Sequence, residues 1–162
     1  MNIIQIDETN FNRLASLVAE FRVTLRSYKG IVSEPDPEEG REDLQFFQEA
    51  GYPIFAAEEA GRLTGYIVCR IEGSLLWVEQ IYACEDCRRR GVASLLFAKA
   101  EELARSLGEE TVFNYVHPNN DGMIAFLRSK GYTVLNLIEI RKPFPGEKLT
   151  TKISVDNQSF DY

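Results

Sequence analysis

Three strand-like runs with no helix between them, followed by a long helical run entered through a glycine, constrain this chain more than any other feature. Ile54–Glu59 and Arg62–Arg70 flank Ala60-Gly61, where the glycine supplies the positive φ of a tight hairpin. The Gly73-Ser74 turn leads into a third run, Leu75–Ala83. From about Gly91 to Leu107 the residues Leu95, Leu96, Ala98, Ala100, Leu103 and Ala104 repeat at helical spacing, and Gly108 ends the helix. Thr111–Val116 then reads as another strand. The three runs predict an antiparallel meander, and the strand–helix–strand crossover predicts one parallel pair added to it.

Weaker signals complete the order. Ile3–Ile6 reads as a first strand, and Asp7 or Thr9 as cap of a helix bearing Phe11, Leu14, Ala15, Leu17, Val18 and Phe21. Pro, Gly and acidic content make Ser33–Gly40 a loop, and a second helix is expected from about Glu39 to Ala50. Asn120 or Asp121 caps a short helix that Gly131 stops. Tyr132–Ile140 reads as a strand, Pro143–Gly146 as a break, and Leu149–Val155 as a last strand. The order βααβββαβαβ, with one further β, predicts an α/β fold built on a mixed, mostly antiparallel sheet flanked by about four helices. We expect one domain over 1–162, with 143–162 as a C-terminal extension.

Charge and cysteine usage narrow the partners. The formal net charge is -7 and the pI about 4.9. Such a field repels nucleic acid and polyanionic membrane surfaces, and it attracts a cationic small molecule or a basic peptide. No apolar run is long enough to cross a bilayer, and Met1–Glu8 has no basic region leading into an apolar stretch. The expectation is a soluble cytoplasmic protein. Of the three cysteines, Cys84 and Cys87 form a C-x-x-C, with Cys69 and the lone His117 the only other soft ligands. We expect no metal, and two reduced thiols in a turn.

One segment carries chemistry. After the apolar run Ile81-Tyr82-Ala83, a turn passes through Arg88-Arg89-Arg90 to Gly91-Val92-Ala93-Ser94 at the start of the long helix. A helix N-terminus exposes unpaired N–H groups and the positive end of the dipole, and so binds phosphate. Gly91 and Ala93 let the backbone approach an anion. The segment lacks the G-x-G-x-x-G of dinucleotide folds and the G-K-[S/T] of Walker loops.

Arg88-x-x-Gly91-x-Ala93 resembles the [Q/R]-x-x-G-x-[G/A] pyrophosphate loop of the GNAT superfamily of N-acetyltransferases. Val78–Ala83 is similar to that family's fourth strand, and Asn120 to Gly131-Tyr132 to its "N … GF/GY" segment. The resemblance implies a fold whose parallel strand pair splays apart, and acetyl-CoA as donor with its pantetheine arm in the gap. It implies that main-chain groups of Ile81, Tyr82 and Ala83 pair with that arm. Amides of Arg89, Arg90, Gly91, Val92, Ala93 and Ser94 would cradle the pyrophosphate beside Arg88. Asn120 would contact the arm, with Phe126 packed alongside.

An amine of pKa about 10.4 arrives protonated and must lose a proton before it attacks a thioester. Glu79, on the strand beside the expected thioester, is the candidate base. The tyrosine that the family often places seven residues after the asparagine is Leu127 here. Tyr82 or Tyr115 could substitute as acid, or water could protonate a thiolate whose thiol pKa is about 8.5. Glu79 and Tyr82 are the expected catalytic pair.

In the family the first two helices and their connection wall the acceptor site. Here Glu34, Asp36, Glu38, Glu39, Glu42 and Asp43 crowd that connection with only Arg41 opposing, which suggests an electronegative mouth for a cationic amine. The expected reaction is acetyl transfer from acetyl-CoA to a primary amine on a cationic small molecule. The alternatives are a peptide or protein acetyltransferase, and a non-catalytic acyl-CoA-binding or sensor domain. Tyr132–Ile140, with Phe144 and Phe160, could pair across a homodimer or pack at home.

Overall fold

The computed structural model describes residues 1–162, in two compact units, Met1–Phe126 and Leu127–Tyr162. In the first, strands β2 (Ile54–Glu59), β3 (Arg62–Glu72) and β4 (Leu75–Ala83) form the expected antiparallel meander. The β2–β3 hairpin turns through Ala60 and Gly61, both at positive φ (49° and 79°), as a two-residue hairpin of the I′ kind needs. Strand β1 (Asn2–Gln5) pairs antiparallel with β2, and β5 (Phe113–Asn114) pairs parallel with β4, for the order β1-β2-β3-β4-β5.

Helices cover both faces. Adjacent residues of a strand point to opposite sides. Tyr66 meets Phe21 of helix α1 (Phe11–Ser27) at 6.3 Å between ring centroids. A Cβ on its neighbour Gly65 would lie 2.7 Å from Val92 of helix α3 (Val92–Ser106). So α1 and α3 sit on opposite faces. β3 is therefore buried without interruption from Leu63 to Cys69, the pattern of a strand covered on both sides. Leu14 and Val18 of α1, Leu44 of α2 (Pro37–Glu49), which packs on α1, and Leu96 and Phe97 of α3 are fully buried.

Two local expectations need correction. Helix α2 begins at Pro37, not Glu39: Asp36 Oδ1 accepts from the Glu38 amide at 2.9 Å, and proline is preferred at the first helical position. Gly40, read as a loop glycine, lies buried inside α2. A Cβ there would stand 2.2 Å from the Ala15 carbonyl of α1, so the glycine is what lets the two helices touch.

Helix α4 (Asp121–Ser129) runs across the boundary between the units. In the second unit the Tyr132 amide donates to the Leu127 carbonyl and Gly131 takes φ 88°, which ends the helix. Tyr132–Ile140 forms no strand, contrary to expectation. Its apolar side chains have no ladder to join, and Val134, Leu135, Leu137, Ile138 and Ile140 stay exposed. The last expected strand is present as β6 (Lys152–Val155). It forms a hairpin with an unanticipated β7 (Gln158–Asp161) that sets Phe160 opposite Ile153. No helix is long and apolar enough to cross a membrane.

Candidate active site

The parallel pair is short. β4 and β5 share only the rungs Trp77–Phe113 and Val78–Asn114, and the rest of the Thr111–Val116 run leaves the ladder. At the same point β4 carries a bulge. Val68 pairs with Gln80 and Cys69 with Val78, so Glu79 has no partner in β3. A bulge bends its strand and re-aims a side chain. Together these features leave the outer edge of β4 open from Glu79 to Ala83, which includes Ile81 and Tyr82. Asn114, on the last rung, gives Nδ2 to the Val112 carbonyl at 3.0 Å, while its Oδ1 is buried without a partner.

Glu79 is exposed, and its Oε2 accepts from Arg70 Nε at 3.3 Å. Arg70 also pairs with Glu72, and its guanidinium lies 4.7 Å from the Trp77 ring and 5.9 Å from that of Tyr115. The sequence reading missed Arg70 and Trp77. The Gly73-Ser74 turn places them opposite each other, but the bulge that adds Glu79 to the cluster leaves no local mark.

Beyond Ala83 the chain turns through Glu85–Cys87. Cys84 and Cys87 are joined as a disulfide, both buried, so the expectation of two reduced thiols does not hold. Cys84, Asp86 and Cys87 converge as a three-residue donor group. With the sulfurs bonded to each other neither is a thiolate ligand, and Asp86 is held by Arg62 in two contacts of 2.6 and 3.0 Å.

The turn then enters α3 with unusual backbone. Arg89 takes φ 62° and Gly91 φ 87°, and no side chain caps the helix. The first helical bond runs from the Leu95 amide to the Gly91 carbonyl. The amides of Val92, Ala93 and Ser94 therefore have no partner within the helix. Of the three arginines, Arg88 leans back over Tyr82 (5.8 Å) and reaches the Ala83 carbonyl (3.4 Å). Arg90 pairs with Glu59 at 2.6 Å. Arg89 forms no ion pair and is exposed. Gly65 seats this corner, since a Cβ there would also meet the Tyr82 carbonyl at 2.5 Å.

Tyr82 faces α1. Its hydroxyl donates to Glu20 Oε2 at 3.1 Å, and its ring packs on Phe21 and Tyr66. Burial, and then the charge of Glu20, push its pKa up against a smaller opposing effect of Arg88. Tyr66 donates to Gln80 Oε1 at 2.8 Å, and burial holds its phenol well above the usual value. Beside Tyr82 opens a groove of about 730 Å³, whose walls include Glu20, Thr24, Arg62, Tyr82, Glu85 and Arg88.

The remaining candidates sit nearby or elsewhere. Asn120 Oδ1 accepts from the Met123 amide at 3.1 Å and so caps α4. Phe126 packs edge-on against Phe97 of α3 at 5.5 Å. Leu127, in place of the tyrosine, is buried. The acidic connection is less open than its sequence implied. Arg41 is not the only opposing cation, because Arg22 of α1 holds Glu39 and Asp43 (3.0 and 2.7 Å) and Arg26 holds Glu39 (2.9 Å).

Residues 17–132 match the model of the acetyltransferase (GNAT) family. No curated protein matches the sequence at a significant level. Among solved structures, the apo aminoglycoside antibiotic 6'-N-acetyltransferase from Acinetobacter haemolyticus is similar at 17% identity and a TM-score of 0.65, over 89% of this chain and 99% of that one. The AAC(6')-Iy aminoglycoside acetyltransferase, in complex with a bisubstrate analogue joining CoA to an acetylneamine, is similar at 19% identity and 0.66, over 88% and 98%. The ribosomal-protein-alanine N-acetyltransferase from Brucella melitensis is similar at 17% identity and 0.65, over 89% and 100%.

Proposed function

The chain belongs to the acetyltransferase (GNAT) family, and from that premise we propose that it transfers an acetyl group from acetyl-CoA to a primary amine on a cationic small molecule. The observation that carries this reading is the juxtaposition of two open backbone surfaces: the uncapped start of α3 behind Gly91, and the unpaired edge of β4 from Glu79 to Ala83. A pyrophosphate on the first and an amide-bearing arm along the second would satisfy both. The buried, unpartnered Oδ1 of Asn114 supports a donor arriving at the mouth of that gap.

In this reading Arg89 and the amides of Arg90 to Ser94 hold the pyrophosphate. Arg88 contributes charge, and Phe126 braces α3 through Phe97. Main-chain groups of Ile81, Tyr82 and Ala83 align the arm, with Asn120 at its far side. Glu79 takes the proton of the ammonium through Oε1, the oxygen left over by Arg70. The amine nitrogen then attacks the thioester carbonyl, the C–S bond breaks, and the surplus proton on nitrogen passes through water to the departing thiolate. That departure is affordable near neutral pH for a thiol of pKa about 8.5. Tyr82, with its hydroxyl engaged by Glu20, anchors the strand instead of supplying that proton.

The net charge of -7 supports a cationic acceptor, as do the three carboxylates of the groove, Glu20, Glu85 and Asp86, against its two arginines, Arg62 and Arg88. The aminoglycoside enzymes among the similar structures support the same class. The ribosomal-protein enzyme is equally similar, so basic peptides belong in the same panel.

A calorimetric titration with coenzyme A and acetyl-CoA, beside a thiol-release screen over polyamines, aminoglycosides and basic peptides, tests the proposal. Saturable coenzyme binding with thiol release from at least one cationic amine supports it. Absence of coenzyme binding would end it.

A further inference from the structure

Arg70 stands at the vertex where the sheet opens. It lies opposite Trp77 in the β3–β4 ladder, and Trp77 lies opposite Phe113 in the β4–β5 ladder, with their rings stacked at 5.1 Å. This row is next to the last before the strands part. From it the arginine reaches the first unpaired residue on each side. It donates Nε to Glu79 in the bulge and shares a side-chain contact with Tyr115, the first residue past β5. Its side chain is only 18% exposed, although it is a cation on the sheet face that also bears Tyr66 and Gln80.

A planar guanidinium suits this place as no ammonium does. It presents its faces to aromatic rings while donating in its own plane to carboxylates. Here the guanidinium lies over the Trp77 ring, Glu72 accepts from Nη1, and Glu79 accepts from Nε. A bulged glutamate alone on an open strand edge would be free to rotate. Held by Oε2, it has one oxygen committed and the other, Oε1, left in a set direction.

We propose that Arg70 is a positioning residue for acetyl transfer, acting through Glu79: it orients the carboxylate that accepts the proton of the amine. The inference rests on the assignment of Glu79 as base. A mispositioning of about 1 Å costs about a hundred-fold in turnover, which sets the size of the expected effect.

The experiment is a double-mutant cycle on kcat with Arg70→Met and Glu79→Gln, read together with the acceptor KM and the coenzyme Kd. Arg70→Met should lower kcat by about a hundred-fold, leave coenzyme Kd unchanged, and lower kcat no further in the Glu79→Gln background. Arg70→Lys keeps the charge and loses the planar fork. It should fall with Arg70→Met, and it takes that variant's place in the cycle if Arg70→Met does not fold. Equal loss on Arg70 substitution in both backgrounds, or full kcat in Arg70→Lys, overturns the proposal while leaving Glu79 as base. Wild-type kcat in Glu79→Gln overturns the base assignment, and this proposal with it.

Discussion

The Tyr82 hydroxyl donates to Glu20 Oε2 at 3.1 Å, so a strand that borders the open gap is tied through its side chain to helix α1, which covers that face of the sheet. The proton of this phenol is committed to a carboxylate of α1. A general acid that supplied the leaving thiolate would carry at least roughly a hundred-fold in rate. We expect Tyr82→Phe to cost clearly less than that in kcat. Its melting temperature should fall by the equivalent of about 1 kcal/mol for the lost hydrogen bond. A collapse in turnover with unchanged coenzyme affinity would return Tyr82 to the role of acid.

The two neighbouring tyrosines, Tyr66 and Tyr82, predict an alkaline limit. Burial raises the pKa of both Tyr66 and Tyr82 above the ordinary phenol value near 10. The folded state therefore keeps protons that the unfolded chain releases above that pH. Their stabilising contribution is complete below about pH 10 and is lost as pH rises toward the folded-state values. Thermal melts followed by tyrosinate absorbance should show Tm falling above that pH, with much of the tyrosinate appearing only on unfolding. Tyr66→Phe should flatten the decline.

Two glycines control the corner where the coenzyme pyrophosphate is proposed to sit, for different reasons. At Gly91 a side chain would meet nothing, but φ is 87°. Gly91→Ala should cost about 1–2 kcal/mol of backbone strain and weaken coenzyme binding. At Gly65 the backbone is ordinary, but a Cβ would press on both the Tyr82 carbonyl and Val92. Gly65→Ala should cost about 1–3 kcal/mol by overpacking, and should weaken coenzyme binding indirectly by shifting the start of α3. Calorimetry on both variants, beside chemical denaturation, separates the two effects.

The acidic connection divides into paired and unpaired charge. Glu39 and Asp43 are neutralised by Arg22 and Arg26, whereas Glu34 and Glu42 are exposed and form no ion pair. If the mouth steers a cationic amine, the Glu34→Gln/Glu42→Gln double variant should raise the acceptor KM at low ionic strength and reduce its salt dependence. Glu39→Gln should instead loosen the α1–α2 contact by about 1 kcal/mol or less with little change in KM. Steady-state kinetics at two salt concentrations, with melts of each variant, check both halves.

How much of this was legible beforehand depends on the distance over which each feature is encoded. The β2–β3 hairpin, the glycine entry to α3 and the capped start of α4 were readable because turn chemistry and helical period act within a few residues. The parallel β4–β5 pair followed from chain direction once the crossover helix was recognised. Gly40 was misread because a glycine that serves contact between two helices looks the same in sequence as one that serves a turn.

By itself, then, the sequence determined the order of the elements as far as α4 and the place of the glycine-entered start of α3 behind Arg88 to Arg90. It did so because helix caps, tight turns and apolar periodicity are local properties of the chain. Only the tertiary structure decided which charges meet: Arg70 with Glu79, Glu20 with Tyr82, and Arg22 with Glu39 and Asp43. These pairs join residues up to 62 positions apart. The first depends on strand register, which the single bulged residue at Glu79 is enough to change, and the other two on how α1 packs against β4 and α2.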